Sequence, residues 1–347
     1  MIARLGRGVP EPAAVGLAAL VAMAVCAAAI GENPLGLLRA LVLGALGDTE
    51  GLAFTLYYAT DFIFAGLAVA VAYRAGLFNI GVEGQSLVAG VGLALAALAS
   101  GGAPSWLAIL VASLAAMVFG AAWALVPGWL LARRGGHVVI TTIMFNFIAS
   151  ALLSWLLVDP MRAQGSMQPE TRPFPPGASL LRLDDALVVL GLSPTGSPLN
   201  ASLALALAAM VAAHVFLFRS RLGFETRVFG ASPTAAHYAG VASTRVILIA
   251  MGLSGALASG VAINELLGAQ NRLILDFSGG AGFVGIAVAL LAGNRPLAIA
   301  PAAMLFGFLY QGGAALGLDY PRVSPQIVTA AQGVMVLLIG GLLGRRR

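Results

Sequence analysis

Long apolar runs follow one another along this chain, at 13–30, 52–73, 77–99, 106–132, 138–158, 199–218, 246–267, 283–293, 297–316 and 327–343, with polar residues gathered in the gaps. A hydrocarbon core roughly 30 Å thick takes about 20 apolar residues per helix, so most of these runs are long enough to cross one. The run 283–293 is too short to cross alone. It is either preceded by an ordered Gly-rich segment from Ser278 or is a re-entrant element. The expected fold class is all-α: a polytopic membrane protein with about 8–10 transmembrane helices, forming a single transmembrane domain over residues 1–347. Composition agrees, because 10% of the residues are charged and 60% hydrophobic, whereas a soluble domain carries about 25% charged residues.

Several chemistries are excluded by what the sequence lacks. Every basic side chain other than histidine is arginine, and a Walker A loop needs a lysine on the nucleotide phosphates, so the chain cannot build an ordinary P-loop ATPase site. Cys26 is the single cysteine, which rules out an intrachain disulfide and a multi-thiolate zinc cluster. His137, His214 and His237 show no metal-ligand spacing, so no metal site is expected. A basic balance can signal nucleic-acid binding. Here, though, the arginines are spread singly or in pairs over many loops, which fits membrane topology better than a binding stripe.

Topology follows from those arginines. With the N terminus inside, Arg4, Arg7, Arg74, Arg133, Arg134, Arg219, Arg221, Arg227, Arg245, Arg295 and Arg345 to Arg347 are cytoplasmic, while Arg39, Arg162, Arg172, Arg182, Arg272 and Arg322 are external. Both termini are then cytoplasmic. The run 13–30 resembles a signal peptide, but retaining it as the first anchor preserves this parity. The Pro- and Gly-rich stretch 159–198 becomes an extracytoplasmic loop, either a plain connector or a surface for an external partner. The stretch 219–245 is a cytoplasmic loop with order written into it. Ser232 is a good N-cap, Pro233 suits the first helical position, and Gly240 supplies the C-terminal stop.

The segment R-A-G-L-F-N-I-G-V-E-G-Q at 74–85 places three glycines, an asparagine, a glutamate and a glutamine between apolar runs, where an unpaired polar group costs several kcal/mol, roughly. A glycine-broken helix with buried polar groups usually marks a transport pathway. On that reading Asn79, Gly81, Glu83, Gly84 and Gln85 hydrogen-bond the broken backbone and shape the wall of a path. On the structural reading Glu83 is a helix-terminal carboxylate that caps backbone amides. Asn146 lies mid-span with Thr141 and Thr142 about one turn away; these three either line the path or make an interhelical hydrogen bond worth roughly 1 kcal/mol. A second Gly-interrupted segment, 279–285, stands in the other half of the chain, as paired structural repeats would leave it. Asn264 and Glu265, at the end of a span, are expected to be solvated or to face an external partner. Asp61, a carboxylate in mid-span, is expected to be protonated or hydrogen-bonded to a neighbouring helix.

Four segments carry a family likeness: G-L-F-N-I-G-V-E-G-Q at 76–85, T-I-M-F-N-F-I-A at 142–149, G-F-E-T-R-V-F-G-A-S-P-T-A-A-H-Y-A-G at 223–240 and G-F-V-G-I-A-V-A-L-L-A-G at 282–293. They resemble the permease subunits of bacterial ATP-binding-cassette importers of the ribose and branched-chain amino acid type. Among these, the chain looks most like the larger permease of nucleoside uptake systems served by basic-membrane-protein-type binding lipoproteins. The likeness covers nearly everything after Leu52. It departs at Thr60-Asp61, where relatives carry Thr-Pro, and at Gly136-His137, where they carry Asn-Glu.

The resemblance implies a permease domain in the bacterial cytoplasmic membrane that moves a nucleoside or related small polar solute and is not itself an enzyme. It also implies three partners: a second, related permease, a separate ABC ATPase subunit and an extracytoplasmic substrate-binding lipoprotein. ATP and Mg are used by the ATPase, and no cofactor is expected on this chain. Glu225, Arg227, Ser232, Pro233, Ala236, Tyr238 and Gly240 are implied to couple to the ATPase. A simple sugar such as ribose is the alternative substrate. Asp61, Glu83 and Glu265 leave open a proton-coupled secondary transporter. An intramembrane enzyme has little support without an H-E-x-x-H pair or a nucleophile beside its base.

Overall fold

The computed structural model describes residues 31–320 continuously, together with a few isolated residues on either side. The expected first and last spans, 13–30 and 327–343, therefore lie almost wholly outside the described residues. Among those described, seven helical stretches are long and apolar enough to cross a membrane. In chain order the helices are α1 (Pro34–Leu46), α2 (Thr49–Arg74), α3 (Val82–Ala99), α4 (Ser105–Arg134) and α5 (Val138–Val158). There follow α6 (Leu183–Val189), α7 (Ser202–Arg219), α8 (Arg221–Ala231), α9 (Pro233–Tyr238) and α10 (Ser243–Ala262), which continues as a π-helical stretch, Ile263–Gln270. The last two are α11 (Ala281–Leu291) and α12 (Pro296–Asp319).

Helix α2 is the axis of the molecule. From Ala59 to Ala72 every side chain is buried, and α10, α11 and α12 pack around it. Its alanines at 59, 65, 68, 70 and 72 let neighbouring backbones approach, the usual way helices associate where lipid removes the hydrophobic driving force. Helices α4 and α5 lie outside this centre. Each buries a narrow stripe, Ala108, Ala112, Ala116, Gly120 and Ala124 on α4, and exposes large apolar residues such as Val118, Met144, Phe147 and Trp155. Such an apolar exposed face suits lipid or another membrane subunit.

The short run at 283–293 belongs to a broken crossing. Leu273 pairs with Thr171 of the long loop before α6. Ser278 reaches Glu83 in the first turn of α3, and the carbonyls of Gly293 and Asn294 accept from Arg74 at the end of α2. An ordered, non-helical stretch thus enters from one end of the bundle and α11 completes the passage to the other. Eleven residues in α11, at about 1.5 Å each, span roughly half the hydrocarbon core. The first of the two alternatives for this run, an ordered segment leading from Ser278, is the one found.

The stretch 159–201 is neither extended nor loose. Arg182 donates from Nε to the Gly268 carbonyl at 2.9 Å and from Nη2 to that of Ala269 at 2.7 Å, closing the end of the π-helical stretch. Glu170 pairs with Arg272 at 3.0 Å. Within the loop, a slight desolvation raises the Asp184 carboxyl, but hydrogen bonds from the Thr195 hydroxyl and the Thr195 and Gly196 amides outweigh it and hold the group below the usual carboxylate range. At the opposite end, the sequence suggests one short helix in 219–245. The structure has two, because Ser220 caps α8 through Gly223 N–H at 3.0 Å before Ser232 caps α9.

Candidate functional site

Between α2 and α3 the chain is non-helical from 75 to 81. Gly76 makes the exit from α2 at φ +73°, a conformation that favours glycine. This stretch abandons the hydrogen bonds of a helix inside the bundle, and neighbouring side chains replace them. Asn146 of α5 donates from Nδ2 to the Ile80 carbonyl and accepts from Gly84 N–H through Oδ1, each at 2.9 Å. The Thr142 hydroxyl accepts from Ile80 N–H at 3.3 Å. Asn79 turns back on its own segment, accepting from Gly81 N–H at 2.8 Å, and reaches Ser254 on α10 at 2.9 Å and Gln85 at 3.3 Å. Ser254 in turn donates to the Ala68 carbonyl of α2 at 2.7 Å. One break is therefore held from α2, α5 and α10 at once.

Glu83 closes a second break. Its carboxylate accepts from the Ser278 hydroxyl and, at 2.8 Å, from Gly282 N–H, so an acidic group in the first turn of α3 caps the N terminus of α11. The two glycine-interrupted segments, far apart in sequence, touch here. This geometry is the capping reading of Glu83, with the capped amide belonging to the other broken segment. Of the expected residues, Asn79, Gly81, Glu83, Gly84, Gln85, Thr142 and Asn146 are gathered together and buried. Thr141 is not: its hydroxyl donates within its own helix, to His137 and Val138 carbonyls.

Asn264 and Glu265 depart from expectation. Both are buried, Asn264 completely, because the π-helical stretch at the end of α10 rotates them into the bundle. Asn264 donates to Asp61 at 3.0 Å and accepts from Ser202 at 2.6 Å and Asn200 at 3.0 Å. Glu265 has side-chain partners in Tyr57, Asp61 and Gln270. Asp61 is thus hydrogen-bonded to a neighbouring helix, as expected. Ser254, Ser278, Asn200 and Ser202 were not singled out from the sequence. A serine in an apolar run is a poor signal, since it so often satisfies itself on its own helix.

The loop on the other side of the break is built as follows. Ser232 accepts from Ala235 N–H at 3.2 Å, Pro233 opens α9, and Gly240 leaves it at φ +76°. Tyr238 is 87% exposed, whereas Ala236 is fully buried, in one apolar cluster with Ala72, Ala75, Leu77 and Phe229. Ala236 is therefore a packing contact, not part of an outward surface. Glu225 pairs with Arg221 at 3.4 Å on the surface, a contact worth only about 0.3–0.5 kcal/mol. Arg227 turns inward and lies 5.0 Å over the Phe218 ring. Helix α8 meets the break directly, because Gly230 packs on the backbone of Arg74 to Gly76, and a Cβ on Gly76 would come 3.3 Å from Gly230 Cα.

Residues 51–340 match the family described as Branched-chain amino acid transport system / permease component. The chain belongs to that permease family. A glucose ABC transporter permease protein of Haloferax volcanii is 34% identical over 93% of this chain and 84% of its own. A nucleoside ABC transporter permease protein of Lactococcus lactis is 33% identical over 90% and 85%, and a guanosine ABC transporter permease protein of Bacillus subtilis is 33% identical over 86% and 84%. The permease is a multi-pass membrane subunit and not an enzyme; in such systems the ATPase is a separate chain and a substrate-binding protein delivers the solute. Membership sets aside the proton-coupled secondary transporter.

Proposed function

We propose that this permease, with a second and related permease, forms the route by which a nucleoside or a related small polar solute is imported across the bacterial cytoplasmic membrane. A binding lipoprotein delivers the solute, and ATP with Mg is consumed by the partner ATPase. Support for the substrate class comes from the nucleoside and guanosine relatives, each alike over most of the chain. Asn79, Gly81, Glu83, Gly84, Gln85, Thr142 and Asn146 act by holding two broken helices open beside the path. Their donors and acceptors are largely engaged with backbone and with each other, so they shape its wall instead of gripping the solute.

The observation that carries the transport reading is the seat of α8 on the break. The outward side of α9, with Tyr238 and Pro233, is the ATPase docking surface. Ala236 and Phe229 join α9 and α8 to Ala72, Ala75 and Leu77, and Gly230 rests on the turn at Gly76. A displacement of the docking helix is thereby delivered to the segment whose polar groups tie α2, α3, α5 and α10 together. Close-packed interiors transmit such shifts because they deform little.

Radiolabelled guanosine and glucose uptake into proteoliposomes holding the complete complex tests this. ATP-dependent guanosine uptake is expected. Uptake that persists without the ATPase subunit overturns the mechanism. The sugar reading rests on the 34% identical glucose relative, and glucose uptake without guanosine uptake would establish it.

A further inference from the structure

Where α2 ends, a cavity of about 250 Å³ opens between Tyr73, Arg74, Arg227, Gly230, Ala231, Gly293 and Asn294. At roughly 30 Å³ per water, that is room for a phosphate group and part of what it is esterified to. Among the described residues, no carboxylate lines it. The charged groups acting on Arg74 are Arg295 and Arg227, both cations, and the nearest acid on α8, Glu225, is paired with Arg221. Arg74 is held in place by its bonds to the Asn294 and Gly293 carbonyls, at 2.8 and 3.3 Å. Its guanidinium and that of Arg227 lie over the same Phe218 ring, at 5.6 and 5.0 Å.

Two polar atoms of the lining residues have no partner. Arg227 Nη1 and Asn294 Oδ1 are buried and, among the described residues, without a hydrogen bond. Turning the Asn294 amide over would present its NH₂ in place of the oxygen, giving a second donor beside the guanidinium. Clustered arginines without a carboxylate, an unused buried guanidinium N–H and a polar void are what a bound oxyanion would complete, since a guanidinium fork matches phosphate oxygens in geometry and charge.

We propose that the cavity bounded by Arg74, Arg227 and Asn294 binds a phosphate group, supplied either by an anionic lipid headgroup or by a soluble phosphate. Because Arg227 is on α8 while Arg74 and Asn294 belong to the break and to the turn after α11, the anion fastens the coupling loop to both broken segments. Its lining shares no residue with the proposed wall of the path, and it does not depend on which solute is carried.

The test uses the purified, assembled transporter, so that any ATPase contact is already made. Equilibrium dialysis with radiolabelled orthophosphate, at ionic strength matched with chloride, is compared with binding of dihexanoyl phosphatidylglycerol against dihexanoyl phosphatidylcholine. Saturable orthophosphate binding identifies a soluble source, and selective binding of the phosphatidylglycerol identifies a lipid source. In either case Arg227→Gln weakens binding at least tenfold. Ala231→Glu, which tethers a carboxylate at the cavity and leaves both arginines in place, abolishes it and serves if Arg227→Gln does not assemble. A wild-type complex that binds neither probe, or binding unchanged in an assembled variant, overturns the proposal.

Discussion

Gly282 N–H donates to the Glu83 carboxylate at 2.8 Å, so the first turn of α3 supplies the cap of α11 across nearly 200 residues of chain. This contact is what converts two separate breaks into one unit. A Cβ on Gly282 would collide with the Glu83 backbone, which makes the approach as dependent on the glycine as on the acid.

Glu83→Ala should therefore harm both folding and transport. It strips partners from the Ser278 hydroxyl and the Gly282 amide, and a buried group left unsatisfied costs about 1–3 kcal/mol. Thermal unfolding of the detergent-solubilised complex should shift down for Glu83→Ala and far less for Glu83→Gln, which keeps an acceptor. Equal stability of the alanine variant and the wild type would remove the capping role.

In the same first turn of α3, Gly84→Ala tests how tightly the break is held. The added Cβ would lie 2.9 Å from both Cα and Oδ1 of Asn146. Overpacking of this kind costs about 1–3 kcal/mol, and the Gly84–Asn146 hydrogen bond should be lost with it. Uptake should drop several-fold in Gly84→Ala, and more in Gly84→Leu, with membrane insertion unchanged; full uptake in both would show that the approach is not needed.

Docking and packing within α9 separate by substitution. Tyr238→Ala should reduce copurification of the ATPase while leaving the unfolding temperature of the permease intact, because the side chain is exposed. Ala236→Glu should lower the unfolding temperature first, since it forces a charge into the apolar cluster that also holds Ala72 and Phe229. Undiminished ATPase binding by Tyr238→Ala and by a Pro233→Glu companion would move the docking surface elsewhere.

Asp61→Asn should retain most uptake. An asparagine at this position still accepts from Asn264 and offers Glu265 a donor, so the network around the π-helical stretch survives. Counterflow measured with and without ATP provides the check. Loss of uptake in a properly assembled variant, together with solute-driven proton movement in the wild type, would assign Asp61 a role in energisation.

Much of this was legible in the sequence. Run lengths match the seven crossing helices among the described residues, since the hydrocarbon thickness fixes how many apolar residues a helix needs, and Ser232, Pro233 and Gly240 announced α9 because capping is local chemistry. The 74–85 segment declared itself through the cost of polar groups in lipid, and Asn79, Glu83, Gln85 and Asn146 were read correctly as buried. Their partners were not readable. Ser254 and Ser278 look like any serine in an apolar run, and only the packing of α10 and α11 on α3 gives their hydroxyls distant acceptors. Asn264 and Glu265 are expected to be solvated because they end a span; in the structure they lie in a π-helical stretch whose end Arg182 closes, and both are buried. Composition and local propensity settle what can cross a membrane and where a helix begins. Which broken ends meet is decided by contacts between residues far apart in the chain, whose energies appear only when the bundle closes.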